Sequence, residues 1–169
     1  QGPITAIRIE GTNDSIDYRI KKLCEELKIQ KEEVVTLEPE QSNIFWEKTR
    51  CLEVFSNLKK NLFKIVLPAS ETFEVINKLK IFEIKYFVDW GGSLIWVQLD
   101  DISTKTFKNI KEIVKSSSGY MTVIKIEENL KALVDVFTID PIKYKITEKI
   151  KKSFDPKRIL NPGKMYSGI

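Results

Sequence analysis

The feature that most constrains this 169-residue chain is a change of hydrophobic period, repeated in order between residues 61 and 125. Leu62 to Leu67 read as a strand stopped by Pro68, and Phe73, Val75, Ile76 and Leu79 then step as a helix with Ser70 as its cap. Residues 82–89 alternate again, Gly91-Gly92 offers a turn with positive backbone dihedrals, and residues 93–98 return, which makes a hairpin. A helix from about Thr104 to Lys115, carrying Phe107, Ile110, Ile113 and Val114, and a strand from Tyr120 to Lys125 follow. The order is β-α-β-β-α-β, so the expected class is α+β: a ferredoxin-like antiparallel sheet with its helices on one face.

Upstream, Ile4, Ala6, Ile7 and Ile9 predict a strand over 4–10. Ile16, Ile20, Leu23, Cys24 and Leu27 predict a helix capped by Asp14 or Ser15. Val34 to Leu37 predict a short strand, and Pro39 opens a helix carrying Ile44, Phe45, Leu52 and Phe55. This N-terminal β-α-β piece is expected to extend the sheet. Residues 142–154, with Ile142, Ile146, Ile150 and Phe154, predict a last helix stopped by Asp155-Pro156. The organisation read from this is one domain over 1–154 and a C-terminal tail over 155–169.

Chemistry is narrowed by what the chain lacks. It has no histidine, which removes Ser-His-Asp and Cys-His catalysis and His-ligated zinc. Cys24 and Cys51 fall in helical patterns without a second thiol at metal or redox spacing, so both are expected to be buried and inert, and no metal site is expected. No apolar run approaches the roughly 18–20 residues that cross a bilayer, and the start of the chain lacks a signal-peptide pattern, so a cytoplasmic protein is expected. The net charge of +4 lies in the last 29 residues, where eight basic side chains face two acidic ones. No nucleic-acid motif accompanies that charge, so a partner protein or an anionic cofactor is the better expectation.

Two stretches stand out. Val88-Asp89-Trp90-Gly91-Gly92-Ser93-Leu94-Ile95-Trp96 sets two tryptophans and one acid about a turn, as hydrophobic anchors or as a surface for a ligand or partner. Asp89, a lone carboxylate beside aromatics, reads as a turn cap rather than a base. Phe154-Asp155-Pro156-Lys157-Arg158-Ile159-Leu160-Asn161-Pro162-Gly163-Lys164-Met165-Tyr166 forces a defined irregular path, with apolar side chains that need a surface to cover. Residues 155–161 are expected to be held by the preceding helix and residues 163–169 to be loose.

The second run resembles the C-terminal signature of FAD-linked oxidases of the vanillyl-alcohol oxidase and D-lactate dehydrogenase superfamily. Together, Asp89-Trp90-Gly91-Gly92-Ser93-Leu94 and Asn161-Pro162-Gly163-Lys164-Met165-Tyr166 resemble the FAD-binding E subunits of bacterial glycolate oxidases. The resemblance implies the cap half of such a subunit, contributing to flavin-dependent oxidation of a glycolate-type 2-hydroxy acid within a complex. FAD would be bound mainly by a domain outside this chain, so the isolated chain is expected to be inactive. Asn161, Gly163 and Lys164 would face the cofactor, and Asp89, Trp90, Trp96 and Tyr120 would form a substrate or partner surface. The implied partners are the FAD-binding domain of the same subunit, a catalytic flavin subunit and an iron–sulfur subunit, through which the complex would sit at the inner membrane. Two departures leave no catalytic residue assigned: the family's Leu-Arg-Trp is Leu94-Ile95-Trp96 here, and its Gly-Gly-His-Ala-Thr is Ser118-Gly119-Tyr120-Met121-Thr122. The alternative is a cofactor-free ferredoxin-like protein-interaction module.

Overall fold

The computed structural model describes residues 3–55, 61–138, 140–164 and 166. The chain divides into two compact units, Gln1–Val54 and Phe55–Ile169.

In the first unit, α1 (Asn13–Leu27) and α2 (Pro39–Arg50) form where their periodicity places them. Thr12 precedes α1 without a side-chain cap, so neither Asp14 nor Ser15 fills that role. Pro39 opens α2, where its missing N–H costs nothing, but α2 ends before Leu52 and Phe55. The two N-terminal strands are not formed: residues 3–10 and 34–38 carry no ladder, and the proposed extension of the sheet is absent among the described residues. Apolar alternation marks side chains that can be buried, but a strand also needs a paired neighbour. Here Ile4 is 73% and Ile7 56% exposed. Cys51 is exposed just past α2 and Cys24 is half-buried, which corrects the expectation of two buried thiols.

The second unit holds β1 (Asn61–Val66), α3 (Thr72–Leu79), β2 (Lys85–Asp89), β3 (Leu94–Leu99), α4 (Thr104–Ser116), β4 (Tyr120–Lys125), α5 (Glu128–Lys131) and α6 (Pro141–Phe154). The four strands make one antiparallel sheet in the order β2-β3-β1-β4. Phe63 and Ile65 of β1, Ile95 and Val97 of β3, and Met121 and Val123 of β4 point to one face. There they share a core with Val75 and Leu79 of α3 and Phe107, Ile110 and Val114 of α4. The class is therefore α+β. Ser103 caps α4, its Oγ accepting the Thr106 N–H at 3.0 Å. Ser70 is no such cap for α3, which follows a 3₁₀ turn (Ala69–Glu71); the Thr72 hydroxyl instead donates to the Gly92 carbonyl and ties the helix start to the hairpin. Phe73, 77% exposed, lies off the core stripe. Residues 136–138 run along the outer edge of β4, with the Val123 and Thr138 N–H groups donating to the Val136 and Met121 carbonyls.

Candidate functional site

Strand register brings the hairpin residues together. On the sheet face turned away from α3 and α4, one cross-strand row reads Asp89, Leu94, Val66 and Tyr120, and the next reads Phe87, Trp96, Lys64 and Thr122. Asp89, Trp96 and Tyr120 thus share a face although 31 residues of chain separate the first from the last. Phe87 stacks on Trp96 with ring centroids 6.5 Å apart, and the buried Phe55 packs on Phe87 at 5.7 Å. Position 95, where the resemblance puts an arginine, lies on the other face: Ile95 is fully buried in the helix-covered core.

The turn itself is unusual. Trp90, Gly91 and Gly92 all take positive φ, at 52°, 58° and 101°. Glycine adopts such values freely, whereas a tryptophan there stores roughly 1–3 kcal/mol of strain. The Asp89 carboxylate accepts the Trp90 N–H at 2.7 Å, so it acts as the turn cap expected of it. The Trp90 ring is fixed over a cation, with Lys64 Nζ 4.7 Å from its centroid and 6.0 Å from that of Trp96.

The tail is anchored by one acid. Asp155 is buried, pairs with Lys151 Nζ at 2.8 Å and accepts the N–H groups of Ile159 and Leu160 at 3.0 and 2.9 Å. The Lys151 hydrogen bond, reinforced by these backbone donors, holds its carboxyl down to about 2. Lys151 also donates to the Leu160 carbonyl, closing the turn, so that of the expected 155–161 the residues through Leu160 are tied to α6. Arg158 and Asn161 take left-handed φ of 51° and 47° within it. Asn161 and Lys164 are exposed and share a turn in which the Asn161 carbonyl accepts the Lys164 N–H at 3.3 Å. Among the described residues, no hydrogen bond, ion pair or ring contact joins this turn to the hairpin.

Tyr166 is buried against Phe137 and Tyr144, at 6.0 and 6.3 Å between centroids, so the loose end expected beyond residue 163 is corrected there. The calls on Met165 and on residues 167–169 lie outside the described residues. Tyr166 closes one side of a cavity of about 340 Å³ that Tyr120, Thr122, Lys143 and Ile146 also line. Lys143 Nζ donates to the Tyr120 hydroxyl at 3.0 Å and sits 4.3 Å over its ring, and this bond raises the ammonium pKa. Sequence reasoning counted Lys143 only among the eight basic side chains of the last 29 residues and passed over Lys64. For Lys64 the signal was present: one cation in the apolar run Leu62-Phe63-Lys64-Ile65-Val66. No cluster of three or more metal-ligating side chains occurs among the described residues.

Comparison with known proteins meets this geometry at both places. Residues 137–165, the segment from the β4 edge through α6 to the tail turn, match the family described as FAD linked oxidases, C-terminal domain. Over 126 residues the chain is 26% identical to the glycolate oxidase subunit GlcE of Escherichia coli (strain K12), covering 74% of this chain and 32% of that protein. The chain thus spans about a third of the length of the curated relative it matches. No solved structure matches it. The chain is similar to FAD-linked oxidases in their C-terminal domain and is GlcE-like, in agreement with its two motifs.

Proposed function

We propose that residues 1–154 form the cap half, and residues 155–169 the flavin-facing tail, of an FAD-binding subunit in a complex that oxidises a glycolate-type 2-hydroxy acid. What carries the reading is the register that gathers Asp89, Trp96 and Tyr120 on one sheet face, beside the strained Trp90. The sheet order and the all-antiparallel pairing support a ferredoxin-like arrangement. FAD, held mainly by a domain outside this chain, supplies the hydride-accepting ring.

The donor set suits that role. A flavin ring edge offers carbonyl and ring-nitrogen acceptors, and the exposed Asn161 carboxamide and Lys164 ammonium are donors. Gly163 between them has open space around the position of a Cβ, which permits close approach. On the sheet face, Trp90 and Trp96 bound the substrate and exclude water while Asp89 holds the turn. The FAD-binding domain, a catalytic flavin subunit and an iron–sulfur subunit are the proposed partners. No helix among the described residues is long and apolar enough to cross a membrane. A cytoplasmic location, with a seat at the inner membrane through those partners, is part of the same proposal.

Recovery of the tagged chain from its native cells tests this directly. The expected complex contains FAD and reduces a dye when glycolate is added. Recovery without flavin or glycolate-dependent reduction would replace the proposal with the cofactor-free interaction module.

A further inference from the structure

We propose that Lys64 is an anion-binding residue that takes the carboxylate of the 2-hydroxy acid, an assignment that rests on the reading above for the identity of the acid. Lys64 sits in the middle of the interior strand β1, half-buried, with its ammonium against two indole faces. A cation drawn out of water needs a counter-charge, and cation–π contacts fix its position without neutralising it. Among the described residues no carboxylate lies within ion-pair distance of it. Asp89, on the same face, spends its Oδ1 on the Trp90 N–H, and Lys85 of β2, across from Gln98, is paired with Asp100 at 3.8 Å.

Two further observations point to an incoming anion. Thr122 stands directly across from Lys64 in register, which sets a hydroxyl donor beside the ammonium, and a carboxylate can use both. Trp90 takes a left-handed backbone conformation that costs energy, and such outliers cluster at active sites and ligand clamps. Position 95 cannot supply the cation, because in this chain it is sealed in the helix-side core. On the face of Trp96, the cation is Lys64, directly across from it on the neighbouring strand.

The test uses the full chain carrying Trp46→Phe, so that Trp90 and Trp96 are the reporting indoles, titrated with glycolate at constant ionic strength. The expected result is a saturable change in tryptophan emission. Lys64→Met should weaken it by at least about tenfold, Lys64→Arg should keep it within about threefold, and the uncharged isostere glycolamide should give none. An undiminished titration in Lys64→Met, an equal response to glycolamide, or no saturable response in the parent chain would each overturn the assignment. Should Lys64→Met fail to fold by circular dichroism, Lys64→Gln takes its place. Because the titration needs no flavin, a Lys64-dependent glycolate site in a chain whose complex lacks flavin would overturn the oxidase reading alone.

Discussion

Helices α1 and α4 are both amphipathic, yet α4 buries Phe107, Ile110 and Val114 while α1 buries nothing. The contrast extends to their units. None of the described residues in Gln1–Val54 is buried, whereas Phe55–Ile169 holds a sixteen-residue apolar core. A helix stripe specifies which face can be buried, and a second layer decides how much of it is. In the second unit the sheet is that layer. In the first, the strands that would have made one are not there.

The largest expected effect breaks or sustains this contrast. Phe63→Ala, at the centre of the sheet core and against Phe107, should cost about 3–5 kcal/mol of unfolding free energy in denaturant titration. Leu23→Ala, on the half-buried stripe of α1, should cost about 1 kcal/mol or less. Equal losses would mean that the two units share one cooperative core.

How far the sequence was legible follows the same line. β4 runs over the residues expected of it, and β1, β3 and α4 come within a residue or two. Each of these segments had both a periodicity and a neighbour of matching pattern to meet. Residues 4–10 and 34–37 had a pattern but no mate. In the candidate site, the grouping of Asp89, Trp96 and Tyr120 was nameable from motifs, but their common face is a matter of register, which a single chain of letters does not print. Lys64 was passed over because a polar residue in an alternating strand normally faces water. The role of Asp155 in holding the tail depends on Lys151 one turn back, a pairing hidden within a run of lysines.

The second unit also has an acid-sensitive element. Asp155 titrates at about 2 in the folded chain, below the ordinary 3.8, so its charged form is favoured by folding. Its contribution is complete above the unfolded value and is lost as pH falls from about 4 through about 2. Thermal melts across that range should show the wild type losing stability more steeply than Asp155→Asn. At pH 8 the same variant should expose Lys157 and Arg158 to faster trypsin cleavage, since its tail has lost the Lys151 ion pair. Coincident pH profiles and unchanged cleavage would mean that Tyr166, docked on Phe137 and Tyr144, holds the tail without Asp155.

The smallest effect tests the first unit alone. Cys51 is exposed at the end of α2 and Cys24 half-buried on the stripe of α1, so a thiol reagent reads how firmly that stripe is covered. Exposure decides which thiol a reagent reaches first. Cys51 should react first and Cys24 several-fold more slowly, as resolved in the single variants Cys24→Ser and Cys51→Ser. Replacing Cys51 should change stability by no more than about 0.5 kcal/mol, the usual range for a surface site. If both thiols react at one rate, α1 opens as often as α2 ends, and the stripe of Ile16, Ile20 and Leu23 is covered only in passing. If Cys24 is silent until the chain unfolds, the first unit is sealed more tightly than its half-buried side chains imply, and the contrast between the two units is one of degree.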